Sequence, residues 1–119
     1  MKVSCQTVVI EEKTAQVILY DDDMKLPVGW AWLQVTGPYS VRLLDILVFE
    51  QNRRKGYGTA LIKQICENVN EVRTQFHPAW MENAGTKLCL KCGFVALSTN
   101  SRGVGDLVWK KKENHNGQS

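Results

Sequence analysis

Residues 48–61, Val-Phe-Glu-Gln-Asn-Arg-Arg-Lys-Gly-Tyr-Gly-Thr-Ala-Leu, join an apolar strand-like stretch to a helix-like one through the cations Arg53, Arg54 and Lys55 and the glycines Gly56 and Gly58. Such a junction has the chemistry to hold a diphosphate. Glycine lets a ligand approach the backbone, the first N–H groups of a helix have no partner inside it, and the helix dipole favours an anion at that end. A nucleotide-bearing cofactor is therefore the first expectation. Two familiar phosphate loops do not fit the spacing. A P-loop needs Gly-Lys-Ser/Thr, whereas Gly58 is followed by Thr59 and Ala60. The dinucleotide fingerprint fails because Leu61 stands at its third glycine position. A solvated basic turn accounts for the cations but not for the two glycines.

Cys5, Cys66, Cys89 and Cys92 are a second set of reactive side chains. Cys89 and Cys92 form a C-x-x-C, but no second pair and no histidine lies at zinc-finger spacing, and the two fall in a helical pattern with Leu88. With no export signal, free structural thiols and no metal are expected.

The elements that would position these residues follow from periodicity. Val3–Ile10 and Ala15–Tyr20 are rich in β-branched residues and are separated by Glu11-Glu12-Lys13-Thr14, which predicts a hairpin. After the acidic turn Asp21-Asp22-Asp23, Val28–Val35 alternates, with Trp30 and Trp32 on one face and Ala31, Leu33 and Val35 on the other. Val41–Phe49 is apolar on both faces apart from Arg42 and Asp45, which predicts a central strand buried on both sides. From Tyr57 the period changes: Tyr57, Leu61, Ile65 and Val69 recur every fourth residue, the mark of an amphipathic helix. Glu71–His77 reads as a strand parallel to Val41–Phe49, because a helix intervenes. A second helix is expected over Asn83–Cys92, with Asn83 as N-cap and Gly93 as its stop. Phe94–Thr99 and Val104–Trp109 read as a closing strand pair.

The 119 residues, 44% of them hydrophobic, suit one domain over residues 1–110 followed by a polar tail over 111–119. The net charge of +3 is mild and its basic clusters, Arg53–Lys55 and Lys110–Lys112, are local, unlike the broad basic face of a dedicated nucleic-acid binder. No stretch approaches the roughly 20 apolar residues of a membrane-spanning helix, and Met1-Lys2 leads straight into a strand pattern. A cytoplasmic location is expected.

The signature R/Q-x-x-G-x-G, written here Arg53-Arg54-Lys55-Gly56-Tyr57-Gly58 and preceded five residues earlier by the strand-end Val48, resembles that of the GNAT superfamily of acyl-CoA N-acyltransferases. The element order β-β-β-β-α-β-α-β-β is similar to that of the family with one departure. GNAT proteins place two helices between their first two strands, and here a four-residue turn stands instead, as in shortened members. The resemblance implies an α/β domain with a mixed α+β sheet and a splayed parallel strand pair. It implies that acetyl-CoA lies against Ile46, Leu47 and Val48 through its pantetheine arm, and against Arg53, Arg54, Lys55, Gly56, Tyr57, Gly58 and Thr59 through its diphosphate. A backbone N–H near Ile46 would polarise the thioester carbonyl. Leu88-Cys89-Leu90-Lys91-Cys92-Gly93-Phe94 is similar to the family's Leu-Tyr-x-x-x-Gly-Phe, with Cys89 where the general acid Tyr commonly stands and Asn83 as a cofactor contact near the helix start.

The activity implied is direct transfer of an acetyl group from acetyl-CoA to an amine, on a small molecule or a protein, within a ternary complex. Transfer needs a group to accept the amine proton. Asp45, the carboxylate inside the central strand, is the candidate: burial would raise its pKa into a useful range, or it could bind an acceptor cation, or it is a structural Asp at a strand distortion. Glu50 and His77 are weaker bases, and His115 lies in the tail. Trp30, Trp32 and Trp80 are available to line an acceptor cleft, to fill the core, or to make a homodimer contact. The missing helices and the missing Tyr also fit a CoA-binding module without catalysis, and the basic clusters a polyanion binder.

Overall fold

Alternation of apolar and polar residues carries the first 48 residues into four consecutive antiparallel strands. The computed structural model describes residues 2–53, 55–80, 82–97 and 99–112. Strand β1 (Val3–Glu11) turns at Glu12-Lys13 into β2 (Thr14–Asp21), where Ala15, Val17 and Leu19 point inward at every second position. Strands β3 (Leu26–Gly37) and β4 (Ser40–Val48) complete the meander. Helix α1 (Tyr57–Glu67) then crosses to β5 (Glu71–Phe76), which lies parallel to β4. Helix α2 (Ala84–Lys91) leads to the short β6 (Val95–Ala96) and to β7 (Gly105–Lys110). The result is the expected mixed sheet, seven-stranded in the order β1-β2-β3-β4-β5-β7-β6.

One core lies between the sheet and the two helices. Leu19, Val28, Ala31, Leu43, Val72 and Leu107 face Leu61, Ile62 and Ile65 of α1 and Cys89 of α2. Because side chains alternate along a strand, Trp30 and Trp32, two residues apart on β3, face the other way. Their rings meet edge to face, 6.1 Å apart, and are half-buried. Among the described residues no helix covers that second face, since no element intervenes between β1 and β2. Among the described residues no helix is long and apolar enough to cross a membrane.

Two expectations need correction. The strand expected over Phe94–Thr99 is confined, among the described residues, to Val95–Ala96. Strand β4 is central but not buried on both sides: Val41 and Leu43 are buried, while Leu44 is 52% exposed and Asp45 is also exposed. The reason is that β4 loses its partner halfway. It pairs with β3 as far as Val48, yet with β5 only over Ser40–Leu43 against Glu71–Thr74. A bulge places Leu44 between the pairs Leu33↔Leu43 and Trp32↔Asp45, and beyond it β4 diverges from β5. Thr74 Oγ1 donates to the Leu43 carbonyl at 2.9 Å where the pairing stops. On the Trp face, Arg42 of β4 reaches across β5 to Asp106 of β7 through paired hydrogen bonds of 3.1 Å, tying the three strands together just before they part.

The signature helix is anchored from its first residue. Tyr57 turns its ring into the core, and its hydroxyl donates to Asp21 Oδ2 at 2.5 Å. The other oxygen of Asp21 accepts from the Asp23 and Met24 N–H groups and so folds the β2–β3 turn. The Tyr57 hydrogen bond is the main cause holding the Asp21 carboxyl below the usual carboxylate range, and Asp21 in turn pushes the Tyr57 phenol up.

Tyr57→Phe is expected to lower the thermal midpoint at neutral pH. A depressed carboxyl stabilises the fold above its ordinary pKa and loses that contribution as the pH falls through its lowered value. The gap between the two proteins should therefore close in acid, measured by circular dichroism melts from neutral pH downward.

Candidate active site

Where β4 and β5 part, two adjoining cavities open beneath α2. One, of about 520 Å³, is lined by Ile46, Leu47 and Val48, by Arg53 and the turn Gly56–Thr59, and by Ala84, Gly85, Leu88 and Lys91. The other, of about 370 Å³, is lined by the stretch Leu43–Ile46, by Thr74 and Gln75, and by Asn83–Thr86 with Cys89. They share Ile46, Ala84 and Gly85, so together they form one groove from the start of α1 to the strand gap. The fold thus brings Asp45, Ile46, Leu47, Val48, Arg53, Gly56, Tyr57, Gly58, Thr59, Asn83 and Cys89 to a single groove. Lys55 is exposed beside it in the loop, and Arg54 lies outside the described residues.

The start of α1 has the features that favour an anion. Gly56 takes φ 82°, a left-handed conformation that favours glycine, and no side chain caps the helix. Its opening N–H groups are thereby left for a ligand. Gly58 has a different reason for being glycine: a Cβ there would lie 2.8 Å from Leu88 Cδ2, so the residue lets α2 pack against α1. Arg53 Nε donates to the Val48 carbonyl at 3.0 Å, which holds the guanidinium at the groove.

Helix α2 contrasts with α1. Asn83 Oδ1 accepts from the N–H groups of Gly85 and Thr86, at 2.8 and 3.2 Å, so the expected cap is formed. That oxygen is consequently occupied, although Asn83 lines the second cavity. At the other end Gly93, at φ 96°, closes the helix, with Phe94 N–H reaching Cys89 O and Gly93 N–H reaching Leu90 O. Cys89 lines the gap from the core side. It is only 2% exposed, and burial pushes its thiol up to about 12, so it stays protonated through the neutral range. All four cysteines are free, and among the described residues no cluster of His, Cys, Asp and Glu could hold a metal.

Asp45 is exposed, so the burial expected for it is absent. Its side chain shares the sheet face of its register partner Trp32, and its Oδ1 accepts from the Ile46 N–H at 2.9 Å. The groove therefore runs through the sheet: α1 and α2 border it on the core side, while Leu44, Asp45 and Gln75 border it toward the Trp face. His77 serves structure. Its Nδ1 accepts from Ala79 N–H at 2.9 Å and its Nε2 contacts Arg102 O at 3.0 Å, joining the end of β5 to the turn before β7. The side chains of Glu50 and Trp80, and His115, lie outside the described residues.

Sequence reasoning missed Thr74, Gln75, Gly85 and Lys91, all of which border the groove. The polar pair Thr74-Gln75 inside an otherwise strand-like run was the available signal for the first two. It also missed that Asp21 anchors Tyr57.

Comparison with known proteins gives the family and the fold. The sequence model of the acetyltransferase (GNAT) family matches residues 4–94. No curated protein matches the chain significantly. Among solved structures, the chain is similar to mutant forms of the spermidine/spermine N-acetyltransferase SpeG from Vibrio cholerae, with TM-score 0.62 and 16% identity, covering 84% of this chain and 68% of that one. It is similar to the PaiA N-acetyltransferase from Thermoplasma acidophilum in complex with coenzyme A, with TM-score 0.62, 17% identity and coverage of 83% and 62%. A Bacillus subtilis acetyltransferase in complex with CoA matches with TM-score 0.64 and 13% identity over 93% of this chain and 100% of that one. At these identities the likeness is one of fold. The chain spans about two thirds of the length of the first two.

Gly58→Ala is expected to destabilise the protein only slightly, because the end of the Leu88 side chain must shift to admit the new Cβ. Adding Leu88→Ala should recover part of the Gly58→Ala loss, giving a coupling energy that urea denaturation of the double-mutant cycle would read out.

Proposed function

Since this chain belongs to the acetyltransferase (GNAT) family, we propose that it transfers an acetyl group from acetyl-CoA to an amine within a ternary complex. The observation that carries the reading is the uncapped start of α1, at left-handed Gly56, opening onto a groove that continues into the β4–β5 gap. The CoA complexes of two proteins of this fold support the same assignment.

In this reading the N–H groups of the first turn of α1 hold the diphosphate, with Arg53 and Lys55, and with Arg54 as the sequence signature implies. The gap-facing backbone of Ile46, Leu47 and Val48 takes the pantetheine arm, and the Ile46 N–H takes the thioester carbonyl, where it would stabilise developing negative charge. The amine arrives through the gap from the Trp face, where Asp45 takes the proton that a protonated acceptor must lose. The amine nitrogen forms its bond to the carbonyl carbon and the carbon–sulfur bond breaks. The nitrogen gives up its second proton to water, Asp45 already holding the first, and the leaving thiolate receives one from water or from Cys89. Cys89 in place of a phenol makes that last transfer the least supported by the geometry, because the thiol is buried. A second reading, a CoA-binding module without turnover, rests on that same substitution. It predicts CoA binding with no thiol release across a broad amine panel.

Domain limits of residues 1–110 and a cytoplasmic setting belong to the same proposal. The groove opens to a face without a helical cover, which suits a bulky acceptor, a protein amine included, or a site completed by a second copy.

Calorimetry should detect binding of both CoA and acetyl-CoA. Arg53→Glu and Lys55→Glu should each weaken binding about tenfold or more, as charge reversal beside a diphosphate requires. Undiminished affinity in both variants, with circular dichroism unchanged, would remove the diphosphate assignment.

A further inference from the structure

The edge of β4 that faces the gap is closed in this structure by side chains of its own neighbourhood. Phe49 N–H donates to Val28 O at 2.9 Å, and the register is regular from Asp45 to Val48. Antiparallel strands alternate the direction of their backbone groups, so those of Ile46 and Val48 turn away from β3 and into the gap. An unpaired backbone group at such an edge is costly once water is excluded. Here Asp45 Oδ1 takes the Ile46 N–H at 2.9 Å, and Arg53 Nε supplies the Val48 carbonyl at 3.0 Å. These are the groups to which the pantetheine arm is assigned above, and both side chains border the groove.

We propose that Asp45 and Arg53 are displaceable stand-ins, which satisfy the gap-facing edge of β4 until acyl-CoA takes it and which are then released to the acceptor amine and the diphosphate respectively. The inference rests on the acyltransferase reading and goes beyond it, because it makes one carboxylate serve two states in turn. Without acyl-CoA, Asp45 blocks the Ile46 amide and is itself engaged. With acyl-CoA bound, the amide is given to the thioester, and the carboxylate, freed at the mouth of the gap beside Trp32, meets a protonated amine. Binding of the two substrates is coupled, and the coupling is reciprocal: a cation that draws Asp45 away from Ile46 also raises the affinity for acyl-CoA. An amine reaching the protein before acyl-CoA finds one oxygen of its carboxylate partner already engaged by the Ile46 N–H.

The consequence is a sign that neither a simple base nor a structural residue would give. Asp45→Ala removes the competitor, so CoA and acetyl-CoA should bind about threefold to tenfold more tightly, the equivalent of one displaced hydrogen bond. Asp45→Asn keeps an oxygen for the Ile46 N–H and should bind within about twofold of the parent protein. Both variants should turn over amine more slowly.

Calorimetry on the three proteins, with CoA and acetyl-CoA as probes, is the test. Nuclear magnetic resonance adds a readout on the unaltered chain: during a CoA titration the Ile46 amide and the Asp45 carboxyl carbon should shift together, with one midpoint. Equal or weaker binding by a folded Asp45→Ala protein, or an Asp45 carboxyl that does not respond to saturating CoA, overturns the inference while leaving the acyltransferase reading intact. If the unaltered protein binds neither CoA nor acetyl-CoA, the acyltransferase reading falls, and the inference falls with it. That result is distinct from an unchanged affinity.

Discussion

The structure turns on backbone hydrogen bonds that β4 and β5 cease to make after Leu43 and Thr74. Two parallel strands that stayed paired would bury both edges and leave no room between them. By parting they create a groove and leave donors and acceptors that must find partners elsewhere. Thr74 takes one carbonyl, Asp45 one amide and Arg53 another carbonyl. The bulge at Leu44 starts the divergence, and the Arg42–Asp106 pair holds β4, β5 and β7 together on the near side of it. An opening in a sheet is costly unless both its borders are fixed, and these contacts fix them.

Two helices begin beside that opening, and they are treated differently. Helix α2 has Asn83 to satisfy its first amides, whereas α1 has no side-chain cap and begins at a glycine in the left-handed region. The physical requirement of every helix start, partners for its opening N–H groups, is met by a side chain at one and not at the other. Position matters as much as chemistry here. Gly58 leaves room for the Leu88 side chain of α2, and Tyr57 on Asp21 pins the first turn of α1 to the β2–β3 turn. The residues of the signature are thus divided between contact with the groove and attachment of the groove to the fold.

The two-residue turn between β1 and β2 has a consequence at a distance. With no element inserted there, the sheet face of Trp30 and Trp32 has no helical cover among the described residues, and the gap communicates with it past Leu44, Asp45 and Gln75. The proposed acceptor side of the groove is therefore open among the described residues. That is why the proposed acceptor is defined only as an amine.

Strand and helix identity, the hairpin, the N-cap at Asn83, the stop at Gly93 and the glycine-led start of α1 at Gly56 were all legible in the chain, because each depends on neighbours a few residues apart: alternation, the four-residue repeat, side-chain caps and glycine conformation. Only the tertiary structure decided what those residues meet. The apolar run of β4 forecast burial on both faces, yet Leu44 and Asp45 are exposed because the pairing with β5 ends at Leu43. Gly58 looked like a ligand contact and also proved to be a helix-packing contact. Cys89 looked like a position for chemistry and is a buried thiol bordering the gap. The difference is one of range: local hydrogen bonds and periodicity are written in consecutive residues, whereas where a strand loses its neighbour, and which side chain then satisfies the exposed edge, depends on groups dozens of positions apart that meet only in the folded chain.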